Sequence, residues 1–175
     1  IAEVIGNTLT VKTKDIKNAK PLNAFIRLPE LVYLKASGAT DVKSRSLFES
    51  DNLEILASGA TSVSMDIAVH YLETEVSGAA DLKVSGTAGT HIFNVSGAAD
   101  LDARGLVSEK AKYSVSGASD ATVNVTGEIE GSKSGSADIT IIGNPTVSYT
   151  NSMSKSHSYS YSQNYYDSVK VKVDI

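Results

Sequence analysis

Five aspartates, Asp41, Asp81, Asp100, Asp120 and Asp138, carry the most regular polar spacing in the chain. Each stands four residues after the serine of a Ser-Gly pair. Carboxylate oxygens in a row are ligands for hard cations such as Ca²⁺. A Ca²⁺ loop gathers several acids, however, and here each repeat supplies one, with Ser62 in the place of an acid in one copy. The preferred reading is that each carboxylate accepts hydrogen bonds at a turn. Asp81, Asp100 and Asp120 are the residues to test should a cation bind; no metal and no cofactor is expected. If the copies stack about 4.8 Å apart, neighbouring carboxylates repel by about 0.9 kcal/mol even in bulk water, so the column needs compensation.

A second column, Ser37, Ser58, Ser77, Ser96, Ser116 and Ser134, offers hydroxyl nucleophiles. No histidine or lysine stands in a repeated relation to it, so a structural role is preferred. His70, His91 and His157 are isolated, and none has the partners of a metal set. Arg45, Arg104 and Lys83 could supply the base of a polysaccharide lyase, a reading kept as an alternative. Tyr159, Tyr161 and Tyr165 offer aromatic faces for sugar rings or a partner protein, and are the ligand-binding candidates.

These residues are positioned by a repeated phrase. Val76-Ser77-Gly78-Ala79-Ala80-Asp81-Leu82 recurs as Val95-Ser96-Gly97-Ala98-Ala99-Asp100-Leu101 and as Val115-Ser116-Gly117-Ala118-Ser119-Asp120-Ala121, with looser copies at Ser37, Ser58 and Ser134. Successive serines lie 21, 19, 19, 20 and 18 residues apart, a period that marks a stacked fold. Period-two alternation runs through every copy. Leu72/Thr74/Val76 and His91/Phe93/Val95 share an inward parity, as do Leu82/Val84, Leu101/Ala103 and Val123/Val125; Lys83, Asp102 and Thr122 take the outward one. Glycine within each apolar stretch argues against helix, at about 1 kcal/mol each. Copies too short to close a core alone bury the inward row by stacking in parallel register. The reading is all-β: a single-stranded, right-handed parallel β-helix with about 19–20 residues per coil.

The 175 residues suffice for one domain over residues 1–175. Residues 1–31 read as N-terminal strands, from Leu9–Thr13 and Ala24–Leu28; residues 32–147 hold the coils; residues 148–175 read as a Ser/Tyr-rich cap with a final strand. Lys133 stands where Val or Ala stood in other copies, and the coil is expected to loosen or shift there. A net charge of −4 argues against nucleic acid. No cysteine is present, and no apolar run reaches the roughly 18 residues of a membrane span. The missing initiator Met suggests a trimmed or processed chain.

On Leu28-Pro29-Glu30-Leu31, the recurring Ser-Gly-Ala-x-Asp phrase and the Gly143-Asn144-Pro145 ending, the chain resembles the autotransporter adhesins with a head GIN domain, exported β-helix proteins of Bacteroidetes. The resemblance spans roughly residues 9–147. It implies a right-handed β-helix in the periplasm, at the outer membrane or on the cell surface, with an adhesive or glycan-binding role and no catalytic residues to transfer. The expectation is a non-catalytic adhesin-like module that binds glycans or surface proteins through a repetitive face. A polysaccharide lyase or hydrolase, or a structural scaffold, are the alternatives, and self-association into a homo-oligomer stays open.

Overall fold

The computed structural model describes residues 2–12, 23–149 and 170–174. Its strands are β1 (Ala2–Ile5), β2 (Thr8–Lys12), β3 (Tyr33–Ser37), β4 (Asp41–Lys43), β5 (Phe48–Ala57), β6 (Ser62–Val76), β7 (Asp81–Val95), β8 (Asp100–Val115), β9 (Asp120–Lys133), β10 (Asp138–Gly143), β11 (Thr146–Tyr149) and β12 (Lys170–Asp174). The described residues contain no helix. From β3 onward all pairing is parallel, and the strands form a β-solenoid of about six turns.

The alternation read from the sequence becomes the core. Leu82, Leu101 and Val123 are each 2% exposed or less, while Lys83 is exposed and Asp102 and Thr122 are half-buried. Inward rows stack residue on residue, as in Leu53, Leu72, His91, Ala111 and Ile129. An aromatic row runs beside it: Phe93 lies 4.9 Å from the His91 ring and stacks on Tyr113 at 5.7 Å.

The Ser-Gly phrase makes the corner. Gly97 has φ +88°, and a Cβ added there would lie 2.7 Å from the carbonyl oxygen of Gly78 in the coil before. That same oxygen accepts the Ala98 amide at 2.8 Å, and the pattern repeats from coil to coil. Glycine is required both for the left-handed backbone and for the closeness of this stack. The residue before each aspartate turns back inward: Ala80, Ala99, Ser119 and Ala137 are all buried.

Two expectations are corrected, and a third is met in the interval before the residue that prompted it. Ala24–Leu28 is not a strand; β2 pairs antiparallel with β1 through a two-residue turn at Gly6-Asn7. Alternation alone misled there, because Phe25 and Ile26 stay exposed and have no sheet face to cover. The coil does shift by one residue in the interval leading to Lys133, since Ser108 and Lys110 stand opposite Val125 and Glu128, but Lys133 itself keeps its register opposite Val115. It sits near the end of the stack, so its long stem reaches out and the ammonium bonds the Ala137 carbonyl and the Asp138 carboxylate, each at 3.3 Å. A larger irregularity comes earlier: between the Ala103–Val123 and Val107–Asn124 pairs, Arg104, Gly105 and Leu106 have no partner in β9, although Gly105 and Leu106 still pair with Ser85 and Gly86 of β7. The final strand, expected as part of a cap on the last coil, lies at the opposite end: β12 pairs in parallel with both β2 and β3. Residues 150–169 of the expected cap lie outside the described residues.

Candidate functional site

The solenoid turns its outward residues into columns, each a potential contact surface. The aspartates do align: Asp41, Ser62, Asp81, Asp100, Asp120 and Asp138 are successive register partners, and their side chains are exposed. At this corner it is the backbone that is bonded, the amides of Ser62, Asp81, Asp100, Asp120 and Asp138 each donating to the coil before, as from Asp81 to the Thr61 carbonyl at 2.8 Å. Two of the carboxylates meet lysines: Asp41 with Lys43 at 2.9 Å and Asp138 with Lys133 at 3.3 Å. Among the described residues no three acids or histidines come together as a metal set. The serine column is likewise held by its amides, as from Ser77 to the Ala57 carbonyl at 2.9 Å.

Two of the three basic candidates meet at one carboxylate, and the third stands apart. Arg104 bonds Asp102 through Nε at 2.7 Å, and Lys83 is the register partner of that same aspartate. Burial works to raise the Asp102 pKa, but hydrogen bonds and charge from Arg104, with Lys83 adding, outweigh it and hold the carboxyl below its ordinary value. Arg45 lies coils away, its guanidinium 4.4 Å over the Phe25 ring. His70 is exposed against Asp51 at 3.1 Å. His91 is buried, with Nε2 3.0 Å from the Thr74 hydroxyl, and burial drives its pKa down to about 3. A neutral imidazole sealed in the core cannot serve solvent-borne substrate. His157 and the tail candidates Tyr159, Tyr161 and Tyr165 lie outside the described residues.

A different surface gathers polar side chains across several coils. On the outward side of the strand segments before the Ser-Gly corner, a depression of about 400 Å³ is lined by Tyr71, Thr90, Ile92, Lys110, Lys112 and Glu128, with Glu130 beside them. Tyr71, Thr90, Lys110 and Glu128 form one register column; Ile92, Lys112 and Glu130 form the next. Lys110 reaches Glu128 at 2.8 Å and Lys112 reaches Glu130 at 2.9 Å. The hydrogen bond to Glu128, then its charge, raises the Lys110 pKa. The sequence carries a signal for this alignment: lysine and glutamate of opposite charge stand 18 residues apart, one coil, in both pairs. A larger depression of about 870 Å³ lies between Asn23–Leu28 and Asp41–Phe48. One of its walls is a segment without strand pairing.

The family described as "Putative auto-transporter adhesin, head GIN domain" matches residues 1–145. A crystal structure described as a "putative adhesin" from Bacteroides fragilis superposes with a TM-score of 0.72 at 22% identity, covering 100% of this chain and 76% of that one. That likeness concerns the fold. No curated protein matches the sequence.

Proposed function

The chain belongs to the "Putative auto-transporter adhesin, head GIN domain" family, and on that premise we propose a non-catalytic, exported adhesin-like module that holds a glycan on the outward face around Tyr71, Lys110 and Lys112. The observation that carries this reading is the charge-balanced lattice of the 400 Å³ depression. Each lysine is matched by a glutamate one coil on, so the face offers fixed donors and acceptors without a dominant charge. Such a face suits a neutral, hydroxyl-rich chain better than a polyanion. The half-buried Tyr71 adds an aromatic surface of the kind sugar rings stack on. Tyr71, Lys110, Lys112 and the two glutamates stand on strands β6, β8 and β9, each paired on both sides, which keeps the donors in place without a cost in ordering them on binding. None of Arg45, Lys83 and Arg104 lines this depression, which favours binding over lyase chemistry there.

A glycan array and a protein array probed with the chain and with Tyr71→Ala test the reading, alongside a reducing-end assay on the glycans retained. Expected are retention of neutral glycans, loss of that retention in the variant at unchanged melting temperature, and no new reducing ends. Retention of proteins alone, or the release of reducing ends, would contradict it.

A further inference from the structure

The placement of β12 separates two things that sequence order keeps together. The chain leaves the last coil with β11, whose register partner is β9, and its final strand is found beyond the first coil. In the sheet order β12 stands between β2 and β3, seven strand steps from β10. It fills its slot completely. Five residues, Lys170 to Asp174, pair with Thr8 to Lys12 on one side and with Tyr33 to Ser37 on the other. Among the described residues β12 is the only strand that joins the β1–β2 hairpin to the solenoid. Without it, β2 and β3 would each present an open edge, and an open edge is a template for any strand of matching pattern.

We propose that this slot is a strand-acceptor site and that it takes the final strand of a second copy of the chain in place of its own. Three observations support this occupant. The donor is identical in every copy, so a second copy's strand meets the same two ladders in the same register. The slot lies at one end of the stack and the chain's exit at β11 at the other, so nothing in the intervening coils must open for the exchange. Finally, seven strand steps span about 34 Å at about 4.8 Å each, whereas the 20 residues between Tyr149 and Lys170 can reach roughly 66 Å when extended. The connection therefore reaches the chain's own slot with length to spare for a neighbour's. A reciprocal exchange between two copies fills both slots and preserves every strand pair, which leaves only the loss of intramolecular proximity to oppose it. That proximity corresponds to an effective concentration on the order of millimolar, so exchange rises with protein concentration and with refolding of mixed chains.

The absence of cysteine in the natural chain makes the test clean. Lys35 and Lys172 are register partners, so full-length K35C and K172C are prepared as single variants, mixed, refolded together at increasing concentration and gently oxidised. The expected result is a disulfide-linked dimer on a non-reducing gel, several-fold above that from a mix of K83C with K172C, and growing with concentration. The double variant K35C/K172C, refolded dilute, should cross-link within one chain. If the double variant closes internally but the mix gives no more dimer than the control, the strand belongs strictly to its own chain and the proposal falls. It falls equally if neither links, since the slot then does not hold this strand.

Discussion

His91 was readable from the sequence only as an inward position; what the structure adds is its isolation. Sealed between coils and bonded to the Thr74 hydroxyl, it keeps a pKa of about 3 against about 6.5 in the unfolded chain. Between those values the unfolded state binds more protons than the folded one, so stability falls as pH drops below about 6.5 and the loss is complete near 3. From pH 7 to pH 4.5 this amounts to roughly 2–3 kcal/mol. Urea unfolding at both pH values should show that drop relative to a Thr74→Val/His91→Leu variant, whose own difference lacks this contribution; equal pH responses in the two proteins would place His91 in contact with solvent. Thr61 is a second case. Its buried hydroxyl finds no partner among the described residues, at the inward corner position that Ala80 and Ala99 occupy in later coils. Thr61→Val keeps the shape and removes the unpaired group, and should stabilise by about 1 kcal/mol in urea. The aspartate column was legible as a column but not in its bonding, because alternation gives a side chain's direction and not its partner. Since these carboxylates stand exposed without gathering into a metal set, millimolar EDTA is expected to leave the melting temperature unchanged. A drop restored by Ca²⁺ would instead make Asp81, Asp100 and Asp120 ligands.

Corners and bulges belong to the scale of the element. The Ser-Gly corner could be foreseen because a left-handed residue at a fixed point of each period calls for glycine. Gly97→Ala should cost about 1–3 kcal/mol for the backbone alone, and more for the Cβ driven to 2.7 Å from the Gly78 carbonyl oxygen. Gly6 is the control: its φ is +57°, but a Cβ there meets nothing within 4 Å. Chemical unfolding should find Gly97→Ala clearly more harmful than Gly6→Ala, and equal losses would mean that the coils do not stack glycine on glycine. The bulge at Arg104-Gly105-Leu106 was not legible. Its residues continue a plausible strand, and only the registers of the neighbouring strands reveal the surplus, one residue against β7 and three against β9. The Ala24–Leu28 segment failed for the converse reason: its alternation is real but local, and a strand also needs an edge to pair with.

For the whole molecule, the solenoid was legible because the period and the alternation agree, copy after copy, on one inward row. The ends were less so. Nothing in Lys170-Val171-Lys172-Val173 says which edge it will choose, since its pattern matches β2 and β3 as well as any strand of the last coil, and the pairing is decided in three dimensions. The face proposed to bind glycan was obscured for a related reason, because its lysines and glutamates are neighbours only after one full coil has been wound. If that lattice is the binding surface, affinity belongs to the stack and not to a single residue. A neutral oligosaccharide retained on the array should then bind more tightly as it lengthens across successive coils of about 4.8 Å, until it outgrows the depression. Titration calorimetry with a length series of one such oligosaccharide, followed by recovery of the ligand, tests this most directly. The account predicts a Kd that falls with length and levels off, with every chain recovered intact and the gain abolished in Tyr71→Ala; a Kd indifferent to length, or shortened chains in the recovered ligand, would contradict it.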